Sequence, residues 1–186
     1  AFGLLVAFGE AIEREVLGVD DLLTRESLGL GIVVAKKGRS KGPLDPLDEE
    51  YLAGVFREGL TDALRRALAE VGRRDPSAGT VLDGTFVPWA QGHIEGLIDA
   101  GQVGAMIASC GDKIADGEAA MRAALRESLR PLARAWAERA RLLVREVERA
   151  RARADRASSS APRAEALRLR ASVVSAIDAL HGALES

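Results

Sequence analysis

Residues 80–88 read TVLDGTFVP, and their reading decides the fold class. Asp83 and Gly84 stand between two three-residue runs, 80–82 and 85–87, that are apolar or β-branched. An Asp-Gly pair flanked in this way is the strongest short-range signal for a β-hairpin, because a type I′ turn needs positive φ at both central positions. The stretch therefore predicts a small β-hairpin near 80–87, in a chain that is mainly α with minor β (α+β).

Toward the N-terminus, Leu5, Phe8, Ile12 and Val16 recur at helical spacing with charged residues between them, an amphipathic helix over about 2–17 that ends at Gly18. After the acidic link VDDLLTRES, the run LGLGIVVAK at 28–36 is short, β-branched and flanked by glycine, which predicts a buried strand. It leads into the basic loop KKGRSKGP. The next helix opens with Asp45 as N-cap, Pro46 in the first turn and Asp48 near the positive helix end. Leu52, Phe56, Leu60, Leu64, Leu68 and Val71 form its apolar face, with Gly72 as its expected stop.

Beyond the hairpin, residues 89–100 read as a short helix closed by Gly101. The small residues of QVGAMIASCGDKIADG at 102–117 suit either a strand or a tightly packed helix. From Gly117 the texture turns to alanine, arginine and leucine. A helix capped by Asp116 and running to about Arg156 is roughly 60 Å long at about 1.5 Å per residue, more than a core of this size covers. Leu125, Leu129, Leu132, Trp136, Ala140, Leu143, Val147, Ala150 and Ala154 mark a coiled-coil-like seam. Pro131 inside it predicts a kink near Arg130. The serines at 158–160 and Pro162 predict a turn, after which Leu169, Val173, Ile177, Leu180 and Leu184 resume the seam in an antiparallel partner helix. The expected organisation is an α+β module over 1–116 and a helical hairpin over 117–186, with Leu143 and Val147 facing Val173 and Ile177.

Composition narrows the function class. A chain of 186 residues with 47% hydrophobic content can bury one substantial core. The single cysteine, Cys110, excludes an intrachain disulfide framework and a multi-cysteine zinc site, and fits a reducing, cytoplasmic setting. No apolar run reaches the roughly 20 residues that cross a bilayer. The opening AFGLLVAFGEAIE lacks the basic region of a signal peptide, and its first residue is alanine, as in a processed or trimmed start. The net charge of −2 conceals a division, with 12 Lys+Arg against 19 Asp+Glu over 1–116 and 14 against 9 over 117–186. Opposite halves of this kind suit contacts within an assembly, or a nucleic-acid partner for the basic half.

Chemistry is sparse. HIEGLID at 93–99 is the one dense cluster of reactive types, but H-x-E without a C-x-x-C is not a zinc deaminase signature, and His93 and Glu95 point to different faces of a helix. No phosphate-binding glycine loop occurs. Lys36, Lys37, Arg39 and Lys41 put four cations in six residues, an anion or nucleic-acid candidate that also reads as an ordinary surface loop. Arg141, Arg145, Arg149, Arg153 and Arg156 form a stripe beside the seam, with Glu138, Glu146, Glu148 and Asp155 spaced to pair with them as on a solvated helix face. Cys110, among small residues, reads as a buried, inert thiol.

The sequence therefore predicts no catalytic residues, metal or cofactor. The leading expectation is a non-catalytic structural, assembly or adaptor subunit. Its interface is Leu132, Trp136, Leu143, Val147, Val173 and Ile177, and its partner is a copy of itself or another subunit of a larger complex. Two alternatives come from other classes. One is an accessory domain of a nucleic-acid-handling complex, using the 36–41 loop and Arg145, Arg149 and Arg153; the other is a small enzyme with a site near Trp89, His93 and Glu95.

Overall fold

In the computed structural model, which describes residues 2–30 and 44–184, two aspartates open the long helices of the core. Asp45 accepts a hydrogen bond from the backbone N–H of Leu47 at 2.9 Å, Pro46 follows, and Asp48 and Glu49 occupy the first turn, so α3 (Pro46–Arg74) starts as expected. It runs past Gly72. Its stop is Asp75, which Pro76 holds in an extended conformation (φ −150°, ψ 93°). The same Asp75 caps α4 (Pro76–Asp99) by accepting from the N–H of Ala78 at 3.0 Å.

The expected β-hairpin is thus absent: residues 80–87 lie inside α4, and there is no strand among the described residues. The fold is all-α, not α+β. Ala78, Leu82, Phe86, Ala90 and Ile94 are all buried at intervals of four, a helical stripe that runs straight through the Asp-Gly pair. Asp83, Gly84 and Thr85 face solvent on the other side. The hydroxyls of Thr80 and Thr85 donate to the carbonyls of Pro76 and Val81, four residues back, at 3.0 and 2.8 Å, which seats polar β-branched residues in a helix. Pro88 leaves the carbonyl of Gly84 without its helical partner. Both residues are exposed, so water can satisfy that oxygen.

Toward the N-terminus, α1 (Phe2–Leu17) takes its expected span. The stretch read as an acidic link is a helix, α2 (Val19–Gly29), which also takes in the first residues of the expected strand. Leu30 follows as its C-cap in the α region (φ −75°, ψ −4°), and residues 31–36 of that strand and the 36–41 loop lie outside the described residues. Gly101, with φ 65°, separates α4 from α5 (Gln102–Gly111). A turn of 3-10 helix over Asp112–Asp116 and Gly117, with φ 110°, then lead into α6 (Glu118–Leu184). The first carbonyl of α6 to accept is that of Gly117, from the N–H groups of Ala120 and Met121. The helix begins one residue later than expected.

The second correction concerns α6. It is helical through Pro131 and through Ser158, Ser159, Ser160 and Pro162, so the turn of the expected antiparallel hairpin is not made. Alanine, arginine and leucine on both sides are strong helix formers, and the two internal prolines, at about 3 kcal/mol each, do not outweigh them.

The chain divides into two compact units, Ala1–Arg145 and Glu146–Ser186. In the first, α3 packs against α1, α2, α4 and α5, and its buried face, Leu52, Phe56, Leu60, Leu64, Ala67 and Val71, lies at the centre. Ion pairs tie the helices at their edges: Arg14 to Glu70 at 2.8 Å and Arg66 to Glu15 at 2.5 Å between α1 and α3, and Arg122 to Asp21 at 2.9 Å between α6 and α2. The described part of the second unit is residues 146–184 of α6.

Candidate functional site

Residues Phe86, Trp89 and His93 follow one another at intervals of three and four on α4, so their rings share a side of the helix. Trp136, on α6, meets them there. Phe86 sits edge-on to Phe8 (5.7 Å between centroids) and to Trp136 (6.1 Å), and Trp89 packs beside it at 5.4 Å. The Arg139 guanidinium lies 5.7 Å from the Trp89 ring centre, a cation–π contact. Trp136 is fully buried, and its indole N–H donates to His93 Nδ1 at 2.9 Å. An indole can only donate, so Nδ1 must accept and the proton of the neutral imidazole stands on Nε2.

Glu95 takes no part in this cluster. Its carboxylate accepts two hydrogen bonds from Arg57 on α3, at 2.6 and 2.8 Å, and this pairing holds it below the usual carboxylate range. The trio Trp89, His93 and Glu95 is therefore split: the first two are together, and the third faces α3. Trp136 and Arg139 complete the cluster from a helix distant in sequence.

Beside the cluster, α3, α4, α5 and α6 border an open cleft of about 300 Å³. Phe56, Val103 and Leu129 are its buried floor, Leu97, Met106 and Leu132 its walls, and none of its lining residues is charged. His93, Gln102 and Ser128 are its polar lining. The Ser128 hydroxyl also lies 3.4 Å from the thiol of Cys110, which is buried as expected. Among the described residues no group of three His, Cys, Asp or Glu side chains could hold a metal ion, and no helix is long and apolar enough to cross a membrane.

The expected interface residues separate into two sets. Leu132 lines the cleft, Trp136 is in the aromatic cluster and Leu143 is 8% exposed, all within the first unit. Val147 is half-buried, whereas Val173 is 58% exposed; the side chain of Ile177 lies outside the described residues. Around Val173, Leu167, Leu169 and Val174 are also exposed, by between 51% and 64%. Arg145, Arg149 and Arg153 are exposed. Arg149, Arg153 and Arg156 border one surface depression with Glu146 and Ala152, so an acidic residue shares the basic stripe. Lys36, Lys37, Arg39 and Lys41 fall outside the described residues. No family model, curated protein or solved structure matches the chain.

Proposed function

We propose that this chain is a non-catalytic assembly subunit that associates with a second copy of itself through residues 146–184 of α6. The observation that supports this reading is the exposure of Leu167, Leu169, Val173 and Val174 on one short stretch of helix. Isolated helices are marginal in water and gain most of their stability from packing an apolar face. Leu169 and Val173 stand four residues apart on one face of the helix, Leu167 and Val174 on another; fully burying a Val or Leu side chain is worth about 1.5–3 kcal/mol, so the face of Leu169 and Val173 rewards a partner helix.

Charge favours a copy over an unrelated partner. Residues 146–186 hold seven arginines and six acidic residues, a nearly neutral and mixed set in which arginines of one copy can pair with carboxylates of another. A uniformly basic segment would instead repel itself and seek a polyanion. The compartment that suits an isolated free thiol such as Cys110 is the reducing cytoplasm.

The test is Leu169→Asp with Val173→Asp, placed where neither side chain is buried in the chain itself. Light scattering of the wild type should give a multiple of the chain mass, and the double variant should be a monomer with unchanged near-ultraviolet dichroism from Trp89 and Trp136 of the first unit. A wild type that stays monomeric at micromolar concentration overturns the proposal. If the wild type instead retains nucleic acid with strong salt dependence, and Arg145→Gln, Arg149→Gln and Arg153→Gln together release it, the arginine stripe is the functional surface.

A further inference from the structure

The geometry points to the cleft between α3, α4, α5 and α6 as a binding site for a small, neutral, mainly apolar molecule that carries one oxygen acceptor. This site lies wholly in the first unit and is independent of the association through residues 146–184. Its volume of about 300 Å³ is at the lower end of the range for small-molecule pockets and equals the share of about ten water molecules. A ligand of roughly that many non-hydrogen atoms fits.

Three features select its chemistry. The floor and walls are Phe56, Val103, Leu129, Leu97, Met106 and Leu132, which reward an apolar body, and Met106 adapts to its shape. No lining residue is charged, so an ionised ligand would shed water with no counter-charge to meet it. His93 supplies the orienting group. Its Nδ1 is engaged by the buried Trp136 indole, which leaves Nε2–H as the donor the ring can offer, and among the described residues no protein group accepts from it. A carbonyl oxygen is the matching partner, with the Gln102 amide at the rim as a second polar contact.

Methyl hexanoate and hexanoate ion probe the class, because they share a chain and differ in charge. In protein isotopically labelled at histidine and tryptophan nitrogens, methyl hexanoate should shift the His93 Nε2 and Trp136 indole resonances saturably. Its chain protons should show Overhauser contacts to the Met106 methyl. Hexanoate should bind about tenfold more weakly or worse, the result of burying an unpaired charge. Ala135→Trp, at an exposed position on the cleft lining, should abolish the ester's effect and keep the His93–Trp136 hydrogen bond. No saturable shift in the wild type, equal binding of hexanoate, or contacts to residues outside the cleft overturns the inference. The wild-type Overhauser contacts decide it even if Ala135→Trp does not fold.

Discussion

Between residues 118 and 145, α6 buries Met121, Leu125, Leu129, Ala133, Trp136, Ala140 and Val144, each no more than 1% exposed; between 152 and 174, every side chain that the structure describes is exposed. The texture of alanine, arginine and leucine is the same in both. Apolar residues at intervals of three and four report that a helix has an apolar face, and nothing in the pattern says what covers it. In the first stretch the cover is the chain's own helices. In the second the proposed cover is another copy.

The sharpest way to break that contrast is to truncate one apolar residue in each stretch. Trp136→Ala removes a fully buried ring and the donor to His93, and should destabilise the first unit by about 3–5 kcal/mol in a denaturant titration. Val173→Ala, at a 58% exposed position, should change the stability of the first unit by less than about 0.5 kcal/mol. Comparable losses would mean that the chain covers both stretches itself.

The charged contact of the covered stretch comes next. Asp20 on α2 is 4% exposed, and Arg126 on α6 approaches its carboxylate at 3.8 Å. Oδ2 of that carboxylate has no hydrogen-bond partner, so the guanidinium offsets its burial by charge alone, and Arg126→Ala should cost about 1–3 kcal/mol by the same titration. A neutral result would mean that the carboxylate is satisfied without the guanidinium.

A smaller effect, of opposite sign, separates helix from hairpin at α4. Gly84 is exposed, and a Cβ added there meets nothing within 4 Å. Gly84→Ala should therefore raise thermal stability by roughly 0.5–1 kcal/mol. In a type I′ turn the same change would destabilise, because alanine resists positive φ.

The smallest effect is the pH dependence of the Arg57–Glu95 pair. Arg57 holds the Glu95 carboxyl below the usual range, so the pair's contribution is complete above the ordinary glutamate pKa and is lost as pH falls through the lowered value in the folded chain. Both partners are about half exposed, so the contribution is slight. Glu95→Gln should flatten this acid limb, seen as a smaller difference between melting temperatures at neutral and acidic pH.

How much of this was legible follows from where the deciding contacts lie. The helices α1 and α3 carry apolar residues every three or four positions and, for α3, a cap and an N-terminal proline, all local signals. The hairpin reading of 80–88 weighed one dipeptide against its immediate flanks. The stripe from Ala78 to Ile94 that overrides it extends beyond that window at both ends. Helix α2 was hidden because Asp20, Thr24 and Ser27, polar residues that normally mark a surface, are buried on it. At the site, the opposed faces of His93 and Glu95 follow from helical spacing alone. The Trp136 indole reaches His93 across 43 residues of sequence, a contact that no local pattern encodes.

Hydrogen exchange of the α6 amides at low and high protein concentration tests the contrast most directly. Amides over 118–145 should be protected to the same degree at both concentrations, because the chain itself buries that stretch. Over 152–174, protection should be weak when dilute and should rise with concentration as copies pair. Protection over 152–174 that does not change with concentration would contradict association through that stretch.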